Sequence, residues 1–290
     1  CPGCLKIVAD AERRSRYARE GFRINGHKVS FQYISPDDVE KKADLIIIAV
    51  KYHHLNQAIK DIRNMVGPDT IILSLLNGIS SEEVIGKEYG MEKMLYSFCV
   101  GTDAVRVGTE INYTKIGKIV FGDSHDSGFS EKVTAVRNFF DRAEIPYTIP
   151  ENILRELWWK FMMNVGINQV SAILRAPYKF FTSEGHALDL MRAASREVID
   201  ISRKAGINLN ENDLEECIRI LKGLSPLGKT SMLQDVEAGR KTEVEIFSGT
   251  VVELGRKYGI MTPVNDVLYK IIKAMEEVSP QCVKNVEKMS

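Results

Sequence analysis

The sequence predicts an α/β unit, a doubly wound and largely parallel sheet, followed by an all-helical unit, and three observations carry that prediction. Residues 1–150 alternate short apolar runs with amphipathic stretches, whereas 151–290 show helical periodicity with almost no strand signal. The chain's 290 residues exceed the roughly 100–200 of one domain, so two packed units are expected, divided at Pro150 into 1–150 and 151–290.

Taken in order, Leu5 to Ala9 reads as a short buried strand and Glu12 to Glu20, closed by Gly21, as a helix. Phe22 to Tyr33 alternates around Asn25-Gly26, a pair suited to the positive φ angles of a tight hairpin. Asp44 to Val50 and Thr70 to Leu76 are nearly unbroken apolar runs, and the segment between them carries Leu55, Ile59, Ile62 and Met65 on one face. That is a βαβ unit with strands covered on both sides, and ligands of such sheets sit beyond the strands' carboxyl ends, where Lys51 and Asn77 wait. Met94 to Asp123 is β-rich, Ser130 to Ala143 is an amphipathic helix, and Pro146 to Ile149 is a last short strand. Helices are then expected near 151–175, 183–206, 210–223, 230–259 and 264–278.

Lys plus Arg and Asp plus Glu number 39 each, which leaves no net field to draw in nucleic acid or an anionic membrane, so a small ligand is the expected partner. The longest apolar runs fall far short of the ~20 residues needed to span a bilayer, and nothing resembles a secretory leader. Five cysteines, scattered along the chain, suit free thiols in a cytoplasmic protein better than bridges. Cys1-Pro2-Gly3-Cys4 opens no helix and has no further ligands at zinc spacing, and the adjacent His53 and His54 cannot easily reach one ion. No metal is therefore expected.

A Rossmann-like dinucleotide-binding unit opens with a strand, a G-x-G-x-x-G turn and a helix, because bare backbone must approach a pyrophosphate. Neither that turn nor an initiator Met precedes the first strand here. The expectation is that a first strand-helix unit, roughly 20–30 residues, is absent from the chain as given.

The segment from Glu156 to Asn168 carries the chemistry. Lys160, Asn164 and Asn168 recur every fourth residue in a helix otherwise docked by Leu157, Phe161, Val165 and Ile167. An ammonium and two amides on a core-facing stripe need polar partners, and a polar cleft supplies them. Beside a keto oxygen such an ammonium polarises the carbonyl and donates a proton as hydride reaches the carbon. The plain alternative is that Lys160 extends to solvent while the asparagines satisfy loop carbonyls. Trp158 and Trp159 read as packing residues.

The pattern Glu-Leu-Trp-x-Lys-x-x-x-Asn-x-x-x-Asn resembles the signature of the ketopantoate reductases at the start of their helical domain. Leu76-Asn77-Gly78 with Glu82-Glu83, Thr230 to Asp235, and Arg240 to Glu243 resemble further family segments in the same order. The resemblance implies NADPH-dependent reduction of 2-dehydropantoate to pantoate, a step toward pantothenate, with Lys160 as general acid. It also implies that Glu243 holds a substrate hydroxyl and helps set the ammonium's charge, that Ser231 holds the carboxylate, and that Asn164 and Asn168 line the pocket. Asn77 would bridge nicotinamide and substrate, and Lys51 would lie near the adenosine phosphate. Each has a plainer alternative: Ser231 as a helix cap, Glu243 as an exposed partner of Arg240 or Lys241, Asn77 as a left-handed turn residue.

Where relatives place an arginine for the 2′-phosphate of NADP, this chain has Asp10, which suits the ribose hydroxyls of NAD, while Arg13 and Arg14 follow closely and restore a phosphate site. NADP is the cofactor expected, with NAD open. Two rival functions also stay open: reduction of another branched 2-keto acid on the same scaffold, and a non-catalytic nicotinamide-binding protein. A homodimer is left open as well.

Overall fold

The structure is a computed structural model that describes residues 4–38, 41–124 and 129–278. Of the Cys1-Pro2-Gly3-Cys4 motif only Cys4 falls inside that range; Cys4, Cys99 and Cys217 are free thiols. Contacts along the chain separate two compact units, Cys1–Leu76 with Ser80–Ile153 and Asn77–Ile79 with Leu154–Ser290.

In the first unit β1 (Lys6–Val8) leads into α1 (Ala11–Glu20), whose N-terminus is capped by the Asp10 carboxylate accepting from the Arg13 amide at 2.7 Å. The strands β2 (Phe22–Ile24) and β3 (His27–Val29) pair antiparallel around Asn25 and Gly26, both at positive φ, as the sequence predicts. The expected hairpin ends there. Residues Gln32–Ile34 form a separate strand, β4, that leaves the hairpin and pairs parallel with β1.

The βαβ unit is present as β5 (Leu45–Ile48), α2 (Leu55–Asp61) and β6 (Ile71–Ser74), with β5 and β6 parallel. Then come α3 (Ser81–Tyr89), β7 (Met94–Val100), β8 (Val105–Val107), β9 (Glu110–Asn112), β10 (Lys118–Gly122), α4 (Glu131–Arg142) and β11 (Tyr147–Thr148). The five-stranded sheet runs β11-β10-β7-β6-β5 and is mixed rather than wholly parallel, because β10 returns antiparallel to β7 without a helical crossover. The excursion between them contributes β8 and β9 to a second sheet, β3-β2-β9-β8. Leu55, Ile59, Ile62 and Met65 all enter the core beside Ile46, Ile48, Ile72 and Ile85. On the other face α4 packs Val133, Val136 and Phe140 over Leu73, Leu95 and Phe121, on β6, β7 and β10. Leu45 of β5 also packs against this cluster, while Ile47 on the same strand is 40% exposed.

The second unit is helical: α5 (Ile153–Leu174), α6 (His186–Lys204), α7 (Glu211–Lys222), α8 (Ser231–Glu237), α9 (Ser248–Tyr258) and α10 (Pro263–Glu277). The long α5 runs close to α6 at Gly166. A Cβ there would lie 2.2 Å from Ser195 Oγ and 3.2 Å from the Met191 carbonyl oxygen, so the residue that weakens an isolated helix is what lets two helices touch. Asn210 and Asp213 form a capping box on α7, and Arg155 reaches Asp213 from α5 at 2.6 Å.

The helical segment expected over 230–259 is broken. After α8 the chain turns at Gly239, runs free of α-helix to Phe247 and re-enters a helix at Ser248. Local periodicity does not reveal this break because side chains, not apolar spacing, hold it open. The Arg240 guanidinium donates back to Asp235 at 2.9 Å, and the Thr242 amide and hydroxyl both donate to Glu276 on α10, at 2.8 and 2.7 Å. No helix among the described residues is long and apolar enough to cross a membrane.

Candidate functional site

The helix α5 is the spine of the site. Lys160, Asn164 and Asn168 lie about 6 Å apart along its axis, four residues at 1.5 Å each. They are only 9%, 8% and 6% exposed, so Lys160 does not run out to bulk solvent along the helix surface. Leu157, Phe161, Val165 and Ile167 are buried beside them and anchor the stripe, and Trp158 packs edge-on against Phe161. A buried ammonium persists only where oxygen atoms and dipoles offset its lost hydration.

Two ties fasten the later segments to this spine. The Thr230 hydroxyl donates to Ser171 Oγ at 3.2 Å while also accepting from the Leu233 amide, so Thr230, not Ser231, caps α8. Ser231 is thereby left as the first residue of that helix, with its side chain exposed. Farther along, the Ser248 amide donates to the Gln169 side-chain oxygen at 3.2 Å, which fixes the start of α9 beside α5.

Glu243 sits in the break between α8 and α9 and is 5% exposed, so it is not the surface partner of its basic neighbours. Arg240 pairs with Asp235, and Lys241 approaches Glu245 at 3.5 Å. Asn77 belongs to this same unit and donates from Nδ2 to Glu243 Oε2 at 3.3 Å. The positive φ of the Asn-Gly turn falls on Gly78 (φ 90°), where an added Cβ would press on Ile246, and not on Asn77. Asn77 therefore spends its side chain on a carboxylate rather than on a strained turn. The sequence links these residues only through resemblance; the contact spans 166 positions of chain.

In the first unit, Lys51 follows β5 in extended conformation and is partly buried. At the carboxyl end of β1, Arg13 Nε lies 3.5 Å from Asp10 Oδ2, an exposed pair that offsets the acid's charge. Arg14 Nε is buried and has no hydrogen-bond partner among the described residues. A donor held in that state is suited to an anionic ligand atom.

One carboxyl group carries no mark of a titrating site in the sequence. Glu82, on the first turn of α3, is 1% exposed, and burial pushes it up to about 7 although the Ser81 hydroxyl and the Ser97 amide both favour its charged form.

Two family models cover most of the chain: ketopantoate reductase PanE/ApbA over residues 5–126 and ketopantoate reductase PanE/ApbA C terminal over residues 152–276. The chain belongs to the ketopantoate reductase family. A 2-dehydropantoate 2-reductase of Aquifex aeolicus is 29% identical over 238 residues, 80% of this chain and 76% of that protein. Enzymes of the same name from Streptococcus pyogenes serotype M1 and Pyrococcus abyssi are each 27% identical, covering 86% and 82% of this chain and 81% and 77% of their own lengths. Among solved structures, a D-mandelate dehydrogenase in complex with NADH and anilino(oxo)acetate superposes with a TM-score of 0.83 at 23% identity, over 94% of this chain and 90% of that one. A dimeric ketopantoate reductase from Staphylococcus aureus gives 0.77 at 20% identity, over 94% and 98%. At these identities the structural likeness speaks to the fold, a Rossmann-like unit followed by the family's helical domain.

Proposed function

We propose that this chain reduces 2-dehydropantoate to pantoate with NADPH, and that Lys160 is the general acid. The observation that carries the reading is the buried ammonium on α5, in one polar stripe with Asn164 and Asn168 and in the same unit as the Asn77–Glu243 contact. Relatives at 27–29% identity named 2-dehydropantoate 2-reductase support the substrate.

A reduced nicotinamide, when bound, supplies hydride to the keto carbon. The chain's own residues do the rest. Lys160 holds a proton at Nζ and gives it to the carbonyl oxygen as negative charge develops there, so that C=O becomes CH–OH. Asn164 and Asn168 orient substrate oxygens without adding charge, and Ser231 holds the carboxylate. Glu243, kept in place by the Asn77 amide, accepts from a substrate hydroxyl and balances the ammonium. Keeping these groups away from water strengthens each interaction.

For the cofactor, Lys51 and the α1 arginines are the residues on this chain that suit the adenosine phosphate. Asp10 already caps α1 and faces Arg13, which offsets part of its charge toward a phosphate, and the buried Arg14 Nε is a donor in want of an acceptor. That pairing supports NADP over NAD in this reading.

The test is consumption of NADPH, followed by absorbance, with ketopantoate, with other branched 2-keto acids and with mandelate-type keto acids, each repeated with NADH. Ketopantoate is expected to give the highest kcat/KM. Lys160→Ala is expected to lower kcat about 10²–10⁴-fold with cofactor affinity nearly unchanged. An unchanged rate in that variant overturns the acid assignment, and no oxidation with any keto acid overturns the enzyme reading.

A further inference from the structure

A second polar cluster shares α5 with the stripe, buried and made of residues to which neither the sequence signature nor the proposed chemistry gives a task. Glu197 on α6 accepts from the Val264 amide at 2.7 Å, from the Asn265 amide at 2.9 Å and from Asn265 Nδ2 at 2.7 Å. Asn265 Nδ2 also donates to the Ala194 carbonyl at 3.1 Å. Because a carboxylate and a carbonyl only accept, the amide nitrogen of Asn265 must face them, and its oxygen must face the other way. There Asn265 Oδ1 meets Gln169 Nε2 at 3.3 Å and Ser248 Oγ at 3.0 Å. Gln169 Nε2 also donates to the Val165 carbonyl at 2.8 Å, which leaves Gln169 Oε1 to accept from the Ser248 amide at 3.2 Å; the single Ser248 hydroxyl proton is shared between that oxygen and Asn265 Oδ1.

The orientation of both amides is therefore dictated, Asn265 by Glu197 and the Ala194 carbonyl and Gln169 by the Val165 carbonyl, and reversing either would set oxygen against oxygen in a buried site. Unmade hydrogen bonds in such a place cost more than made ones contribute, so the two amides tolerate one orientation. What it fixes is specific. Gln169 is the residue after Asn168 on the catalytic helix, and Ser248 begins α9 five residues after Glu243. The Arg240–Asp235 and Thr242–Glu276 bonds hold the Glu243 segment to α8 and α10, whereas Gln169 holds it to the helix that carries Lys160.

We infer that Gln169 is a positioning residue for the reaction: through Ser248 it sets where the Glu243 carboxylate stands relative to the Lys160 stripe, with Asn265 and Glu197 locking its orientation. The inference rests on the proposed roles of Lys160 and Glu243. A misplacement of about 1 Å at a reacting group costs up to 10²-fold in rate, so a buried amide well removed from the substrate can matter to turnover.

The experiment is a double-mutant cycle on the full chain with NADPH and ketopantoate, rates being normalised to folded enzyme by circular dichroism. Gln169→Met keeps side-chain length and removes the hydrogen bonds; Ser248→Ala removes only the hydroxyl and serves if the first variant folds poorly. Gln169→Met is expected to lower kcat about 10–100-fold with NADPH affinity unchanged, Ser248→Ala to act in the same direction less strongly, and neither to lower kcat further in a Glu243→Gln background. A purely structural role would lower thermal stability while leaving kcat per folded molecule unchanged, or would add in full to Glu243→Gln; either result overturns the inference while the Lys160 and Glu243 variants still collapse activity. If those two variants retain full activity, the proposed chemistry falls and this inference with it.

Discussion

Glu82 makes the stability of this protein depend on pH in a direction opposite to that of most carboxylates. Its side chain is buried at the start of α3, and the loss of hydration outweighs the donors it has, Ser81 Oγ at 2.9 Å and the backbone amides, so its midpoint rises from 4.5 to about 7. A raised midpoint means that between roughly pH 4.5 and 7 the folded state holds a proton that the unfolded chain has released. The proton-linked stability is thus fully present below about 4.5 and is lost as pH rises through about 7. One pH unit across that window corresponds to about 1.4 kcal/mol, so up to about 3 kcal/mol is forfeited by pH 8. The substitution Glu82→Gln keeps the shape of the protonated acid and cannot ionise. Urea unfolding of both proteins between pH 4.5 and 8 should show near-equal stability at the acid end and a variant more stable by up to about 3 kcal/mol at the alkaline end. A difference that stays flat across this range would refute the argument, because it would mean that the buried group never changes its charge on folding.

Two further outcomes follow from the same kind of reasoning. Gly166→Ala should destabilise the helical unit by about 1–2 kcal/mol: forcing a methyl to 2.2 Å from Ser195 Oγ costs about 1–3 kcal/mol, and the better helix propensity returns less than ~1; urea unfolding measures it, Ser195→Ala should recover part of the loss, and a Gly166→Ala variant as stable as the parent would show that α5 and α6 have room to spare. Arg14→Ala should reduce kcat/KM for NADPH about tenfold or more with little change for NADH, as expected on losing a charged hydrogen bond to phosphate; an unchanged NADPH-to-NADH ratio would count against this arginine as the phosphate ligand.

The parts of the fold that were legible in the sequence are those whose cause is local. Asn25-Gly26 forces a hairpin by backbone sterics, the apolar faces of α2 and α4 follow from spacing, and the Lys160 stripe is a matter of 3.6 residues per turn. What was not legible depends on pairings across long separations. The sequence between β7 and β10 does not announce that β9 will lie beside β2, since strands this short carry no register information until a partner is present.

The same division runs through the site, and it explains why apolar spacing predicts helix across the break at 238–247. Spacing reports which face of a segment is apolar, and residues 230–259 keep that spacing whether or not the helix is continuous. The interruption is set by Thr242 reaching Glu276, by Arg240 reaching Asp235 and by Ser248 reaching Gln169, bonds whose partners lie up to 79 positions apart. A carboxylate in mid-helix could point only where its helical position dictates; in an irregular segment held by side chains, Glu243 can be buried beside Asn77 instead. Irregular backbone costs hydrogen bonds and is retained where something repays it. By that reasoning the polar ties around residues 238–248 suit the role proposed for Glu243, and weakening them should be felt in turnover before it is felt in the fold.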